Sequence, residues 1–440
     1  MKIASSARCR LCIAIAGTAL GLTGVCDRAV LAQDAFASVE TEMESGPQDV
    51  PGREKGERST LELKREATPP AKPVTPEPLD WFGGKPWWEW SAATGNWGGA
   101  RSWFDDHGFA FAGSLTLDWS SVWDGGVRNV ASTRTLTDFN LTIDTQKFLG
   151  LEGGTFFIDF YSTDGRGGSA DAGDFQGFSN IQTDANLDQI AEVWYEQWIL
   201  GKLLRVKVGK VDANSEFAFV DVAGTFLNSS AGVSPPIFNL TTYPDPAMSV
   251  NIFVYPTKNV YLGFGLYDGA TADGIRTGGR GPATFFSDSK SSSWFFIGEA
   301  GVTWESLGSL GGGRVAAGGW GHTARYDRFD GDTQDGTEGF FAMAEQQLIN
   351  GGGEEGDDER GLFCFARYAW ADEDVSEACQ HVGGGFVQRG TFGDRRDDEA
   401  GVFVSWVDLS DDENAGFAQD ETTVELYYRC LLYTSPSPRD

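Results

Sequence analysis

The stretch LTDFNLTIDTQ, residues 136–146, alternates between two kinds of side chain. Its apolar residues Phe139, Leu141 and Ile143 are separated by polar ones. The polar positions beside and between them are Asp138, Asn140, Thr142 and Asp144. Because successive side chains of a β-strand point to opposite faces, this period of two predicts a strand with one apolar face and one polar face.

The same period recurs along the chain, first in FAFAGSLTLDWSSVW, residues 109–123. We identify fourteen such runs, which begin near residues 109, 136, 155, 190, 203, 248, 259, 294, 314, 339, 361, 381, 400 and 421. Long polar connections, at 124–135, 164–189, 212–247 and 268–293, alternate with minimal turns at 200–202 and 256–258. This asymmetry is typical of an all-β, transmembrane antiparallel β-barrel. A soluble β-sandwich remains compatible with the periodicity alone.

The run LLRVKVGKV, residues 203–211, predicts which face of the barrel meets lipid. Leu204, Val206 and Val208 share one face, and Arg205 and Lys207 share the other. A cation that faces mid-bilayer lipid costs about 2–4 kcal/mol, so the charged face is expected to line the lumen. The same argument predicts that Asp118, Asp138, Asn140 and Asp144 point inward.

The composition excludes several classes of function. The 34 Lys and Arg residues are outnumbered by 64 Asp and Glu, so the formal net charge of −30 argues against binding to nucleic acid. The histidines His107, His322 and His381 lie in separate segments without other ligands at metal-binding spacing, and we expect no metal and no cofactor. Paired acids such as those in EEGDDE, residues 354–359, are compatible with a secreted glycosidase, but such a run is more typical of a solvated loop.

The N-terminal residues have the features of an export signal. Lys2, Arg8 and Arg10 precede an apolar stretch at 11–25, and residues 30–32 have the form of a cleavage site, so 1–32 is predicted to be a signal peptide. Residues 33–80 are charged and proline-rich, which predicts a disordered linker. Export also permits a disulfide between Cys364 and Cys379, the two cysteines in the body of the chain.

The third long connection, at 212–247, is too long for a simple connector and is expected to fold into the channel. A channel that selects a solute needs side chains able to contact it, and charged, polar and aromatic groups are the candidates. This loop and the strand before it offer Arg205, Lys207, Asp212, Asn214, Glu216, Phe217, Phe219, Asn228 and Tyr243. Weaker candidates are Glu192, Trp194 and Glu196, which alternate on one face of the preceding strand. A structural plug packed against the wall is the alternative interpretation.

Several segments resemble the carbohydrate-selective porin (OprB) family of bacterial outer membranes. The most specific is VKVGKVDANSEFAFVDVAGTFLNSSAG, residues 206–232. The others, in order, are TGNWGGARSWFDDHGFAF at 94–111, TYPDPAMSVNIFVYP at 242–256, GLFCFARYAW at 361–370 and VELYYR at 424–429. The resemblance implies a sixteen-stranded barrel over residues 109–429 and an aromatic-rich segment, 81–108, at its periplasmic mouth. It also implies passive uptake of carbohydrates, monosaccharides such as glucose, and no enzymatic activity.

The end of the chain departs from this pattern. Only about fourteen strands are recognisable, and the polar residues 430–440 show no alternation. We interpret them as an artefactual tail on a truncated gene whose last hairpin is missing, with a genuine variant tail as the alternative.

The expected protein is therefore an outer-membrane barrel in contact with lipid and lipopolysaccharide, with sugars as its solutes. Its state of oligomerisation, including a homo-oligomer, stays open. The alternatives are a general, cation-leaning porin and a soluble secreted carbohydrate-binding β-sandwich.

Overall fold

A computed structural model describes residue 90 and residues 92–183, 185–277, 291–351, 360–390 and 398–430. The predicted signal peptide, the linker, the acidic run at 354–359 and nearly all of the tail lie outside the described residues, as does most of 81–91. The chain divides into two compact units, one of which contains residues 102–430. The described part of the other is residue 90 and residues 92–101, where Trp97 Nε1 donates to Thr94 Oγ1 at 3.1 Å.

The larger unit is a single sheet of fourteen antiparallel strands in which each strand pairs with its neighbours in sequence. The strands, β1 to β14, are Phe109–Ser121, Ala131–Asp144, Gly154–Gly165, Leu187–Ile199, Leu204–Val211, Ala247–Thr257, Val260–Asp268, Trp294–Trp304, Gly313–Asp327, Thr333–Asn350, Gly361–Ala371, Ala378–Arg389, Glu399–Leu409 and Glu421–Arg429. In the described part of the chain β1 and β14 do not pair with each other, so the sheet is open along this seam. The predicted number of strands is confirmed.

Within the residues that the structure describes, helical structure is confined to short segments. The α-helices are Ala100–Asp106, Thr145–Leu149, Ser169–Ala172 and Ser229–Gly232, and 3-10 turns occur at Trp97–Gly99, Ala213–Ser215 and Asp221–Ala223. None of the described helices has the length and apolar character needed to cross a membrane.

Side chains alternate across the sheet as the opening stretch predicts. On β2, Phe139 is 59% exposed on the outer face, whereas its neighbour Asp138 is 6% exposed on the inner face. The inner face is covered mainly by the loop between β5 and β6, residues 212–246, which we call the lumen loop. Its Phe217, Phe226 and Ile237 belong to the main apolar core together with inward residues of the strands.

Two expectations about individual side chains are wrong. Cys364 and Cys379 are free thiols rather than a disulfide. Cys364 lies opposite Phe386, seven residues along β12 from Cys379, so the register holds the two far apart. Asp144 does not line the lumen: it caps the helix Thr145–Leu149 by accepting hydrogen bonds from the backbone N–H groups of Gln146 and Lys147.

Candidate functional site

The register of β4, β5 and β6 brings three predicted residues together on the inner face. Glu196 lies opposite Lys207, and Arg205 lies between Trp198 of β4 and Phe253 of β6. Residues two apart on a strand share a face, so Arg205 and Lys207 point into the lumen side by side. The pairing of β4 with β5 therefore places these polar residues in one patch.

Glu216 of the lumen loop completes this patch. Its Oε2 is 2.5 Å from Arg205 Nη2 and its Oε1 is 2.5 Å from Lys207 Nζ. Glu196 Oε2 contacts the same two cations from the wall, at 3.4 Å to Arg205 and 3.2 Å to Lys207. We call Glu196, Arg205, Lys207 and Glu216 the charge cluster.

Glu216 of the charge cluster keeps its ionised form. Burial alone would raise the pKa of Glu216, but the adjacent Arg205 and Lys207 hold it below its ordinary value. Two cations and two carboxylates alternate, so each charge has a counterion within reach. Such an arrangement combines donors and acceptors without a large net charge, and its side chains are only 2–12% exposed beneath the lumen loop.

Aromatic rings surround the charge cluster. The Arg205 guanidinium lies 4.2 Å from the centroid of the Phe253 ring, and Lys207 Nζ lies 3.9 Å from that of Trp194. Trp194 in turn stacks on Phe157 at 4.8 Å. The patch therefore combines planar apolar faces with charged hydrogen-bonding groups.

Other predicted residues hold the neck of the lumen loop. Asp212 accepts hydrogen bonds from Asn214 N–H at 2.9 Å and Thr242 Oγ1 at 2.7 Å, which joins the start of the loop to its end. Glu192 accepts from the Asp212 N–H at 3.0 Å. The Asn214 side chain donates to Phe217 O at 3.2 Å. These residues shape the site rather than face an open channel.

Four further predicted residues have their partners within the sheet and its loops. Phe217 is fully buried and stacks on Phe253 at 5.1 Å, so the prediction that it lines the pore is wrong. Asp118 is buried and accepts from Ser179 Oγ at 2.5 Å, and its other contact is Arg134 at 3.3 Å. Asp138 is bonded to Asn140 on the same strand at 3.4 Å.

The sequence reasoning missed the wall residues that hold the lumen loop in place. Glu299 accepts from Ala218 N–H at 2.8 Å, and Glu345 accepts from Val222 N–H at 2.9 Å. Arg367 donates to Ser230 O, Ala231 O and Ala218 O at 2.7–3.0 Å. A cation that faces lipid is costly, and this argument placed Arg205 on the inner face. Applied to Arg367 within GLFCFARYAW, it would have identified this residue as inward-facing too.

A second arginine is held beside the lumen loop. Arg314 of β9 pairs with Glu345 at 2.7 Å and lies 4.2 Å from the centroid of the Phe219 ring. Asp221 of the loop lies close by, and burial, assisted by Glu345, raises its pKa to about 6. No group of three or more His, Cys, Asp or Glu residues is placed to hold a metal ion within the described ranges.

An antiparallel sheet with an apolar outer face, a charged inner face and a long loop folded inward defines a porin of the outer-membrane type. The carbohydrate-selective porin, OprB family, matches residues 128–434. This match covers most of the chain, and the chain belongs to this family. It is accordingly a channel rather than an enzyme.

Solved structures show the same fold. The high-pH structure of Pseudomonas putida OprB is 20% identical in sequence, with a TM-score of 0.68, and the match covers 77% of this chain and 89% of that one. The low-pH structure of the same protein is 19% identical with a TM-score of 0.50, covering 77% and 88%. No curated protein sequence matches this chain.

Proposed function

We propose that this protein lets carbohydrates, monosaccharides such as glucose, diffuse passively across the outer membrane, and that the charge cluster is the point of selection. One observation carries the proposal: Arg205 and Lys207 of the wall meet Glu216 of the lumen loop beside the rings of Phe253 and Trp194. A sugar ring has apolar faces and a rim of hydroxyls, and this patch complements both.

The same proposal includes the roles of the N-terminal segments and of the outer face of the barrel. A signal peptide at residues 1–32 exports the chain, and the linker at 33–80 and the aromatic segment at 81–108 precede the barrel. The outer face contacts membrane lipid and lipopolysaccharide. Exposed side chains such as Phe264 and Val404 on β7 and β13 support a lipid-facing surface.

The test is conductance through single channels in a planar bilayer while glucose is added at millimolar concentrations. We expect glucose to reduce the current in a saturable manner. An uncharged polyethylene glycol of similar size is the control, because it fills the pore without offering a ring of vicinal hydroxyls. A current that glucose and the polymer reduce equally would contradict selection of sugars.

The competing function is a general diffusion channel that prefers cations, and the net charge of −30 favours it. The near balance of charge in the cluster argues against it. A reversal potential measured in a KCl gradient separates the two, since a cation-leaning porin gives a strong cation preference and no block by sugar.

A further inference from the structure

The inner face of β14 carries two carboxylates, Glu421 and Glu425. They are four residues apart, so they point to the same side of the strand at a separation of about 13 Å. They contact two different loops. Glu425 reaches the lumen loop, and Glu421 reaches the loop between β3 and β4, residues 166–186, which we call the upper loop.

Each carboxylate binds two consecutive backbone N–H groups. Glu425 accepts from Leu227 N at 2.8 Å with Oε1 and from Asn228 N at 2.9 Å with Oε2. Glu421 accepts from Phe175 N at 2.8 Å with Oε2 and from Gln176 N at 2.9 Å with Oε1. Both oxygens of each side chain therefore act as acceptors.

The two loops are also bonded directly to each other. Ser229 N–H donates to Gly177 O at 2.8 Å, and Asn180 N–H donates to Leu227 O at 2.7 Å. Gly177 and Ser229 directly follow the segments that Glu421 and Glu425 hold, and Leu227 is itself bound by Glu425. The four attachments therefore lie in one continuous set of hydrogen bonds that starts and ends on β14.

The lumen loop links this set to the charge cluster. Glu216 is near one end of the loop, and Leu227 and Asn228 lie about a dozen residues further on. Between them, Ala218 and Val222 are held by Glu299 and Glu345. To cross the lumen, the loop must also be held on its remaining side, and β14 provides that attachment.

We propose that Glu421 and Glu425 are positioning residues that hold the upper loop and the lumen loop as one unit and so set the geometry of the sugar-selecting constriction. This inference rests on the proposed function for its sugar readout. Neither residue contacts the charge cluster, and each acts through the loop backbone.

The substitutions Glu421→Gln and Glu425→Gln test the inference, alone and combined. Glutamine has the same shape but only one acceptor oxygen, so its amide N–H₂ would face a backbone N–H. We expect the glucose concentration for half-block to rise roughly threefold to tenfold in each variant. Because the loops form one unit, the double variant should show less than the product of the two changes. Glu338→Gln, on the exposed outer face of β10, is the matched control.

A cross-link measures the position of the loops without any sugar. A Cβ built on Gly177 lies 3.5 Å from the Cβ of Ser229, within the range of a disulfide. Gly177 has a left-handed φ of +66°, so a cysteine there strains the backbone and the single variant Gly177→Cys is the matched control. Relative to this control, we expect the disulfide of Gly177→Cys/Ser229→Cys to form and to leave glucose block unchanged. In the double glutamine variant it should form more slowly, and once formed it should restore the block until reductant is added. Mass spectrometry of the linked peptide identifies the bond.

Unchanged cross-linking rates together with unchanged glucose block in the glutamine variants would overturn the inference. A wild-type channel that glucose does not block would instead overturn the proposed function, while the cross-linking rates would still report on the loops. If the double variant does not fold, the rate in each single variant decides the question. Resistance of the barrel to SDS until boiling shows that a variant has folded.

Discussion

Arg205 Nη2 of β5 lies 2.5 Å from Glu216 Oε2 of the lumen loop. This ion pair joins the barrel wall to the inserted loop, between residues eleven positions apart in sequence. The same guanidinium stacks on Phe253 at 4.2 Å, so its plane is fixed by two partners at once. The geometry of the proposed constriction depends on the orientation that Glu216 and Phe253 together give to Arg205.

Arg205→Lys is expected to weaken glucose block. Lysine keeps the positive charge but loses the planar fork that matches Glu216 and stacks on Phe253. We expect the half-blocking glucose concentration to rise about tenfold, which corresponds to ~1.4 kcal/mol. Cation preference should not change. Arg325→Lys, at an exposed position of β9, is the control, and equal effects of the two substitutions would contradict the assignment.

Trp194→Leu should also weaken the block, because it removes the aromatic face below Lys207 Nζ while keeping an apolar side chain. The expected increase in half-blocking concentration is roughly threefold to tenfold. Titration of the current with glucose measures it. Trp123→Leu, at a residue that is 58% exposed beyond the end of β1, should have no effect. An unaltered titration for Trp194→Leu would exclude this ring from the site.

The ion preference of the channel is expected to depend on pH through Asp221. With a pKa of about 6, this carboxyl is mostly neutral at pH 5 and ionised at pH 8. Glu345 raises that pKa, whereas Arg314 and Arg389 oppose the rise. The lumen therefore gains negative charge as the pH increases, and cation preference should increase with it. Reversal potentials in a KCl gradient at the two pH values measure this change.

Asp221→Asn should remove that part of the pH dependence and leave the channel at its low-pH preference. Asp330→Asn is the matched control: the Asp332 backbone N–H and Arg328 lower the pKa of this exposed carboxyl, so it does not titrate between pH 5 and 8. A pH dependence that persists unchanged in Asp221→Asn would assign it to another group.

The orientation of the sheet is tested by Val404→Arg on the outer face of β13. Val404 is 47% exposed, and an arginine near the bilayer midplane costs about 2–4 kcal/mol. We expect the variant to lose its folded, fast-migrating form on SDS gels at a lower temperature. Val127→Arg, in the connection after β1, should behave like the wild type because its side chain already lies outside a strand. Equal melting of both variants would contradict a lipid-facing position for Val404.

The boundaries of some strands could not be predicted. β2 begins at Ala131, five residues before the alternating stretch that identified it, because Ala131, Thr133 and Thr135 take the outer positions there and are small or polar. β10 likewise begins at Thr333 rather than near Gly339. A period of two is visible only where the outer residues are apolar, and near a rim they are not.

The candidate site could be predicted in part. Arg205, Lys207, Glu196 and Glu216 were identified because each interrupts an apolar pattern or lies in the inward loop. Their pairing was not predicted, since the sequence does not state which residue of β4 lies opposite Lys207. For the same reason, the sequence did not predict that Asp212 and Glu192 lie at the neck of the lumen loop.

That the chain forms fourteen strands with an apolar and a charged face follows from its amino-acid pattern alone, because the period of side chains and the cost of charge in lipid are local properties. Which inward residues meet depends on the folded sheet. Glu299, Glu345 and Glu425 bind backbone N–H groups of one loop although they are spread over more than a hundred residues. Such contacts depend on strand register and on the path of the loop, which arise when the whole sheet has folded.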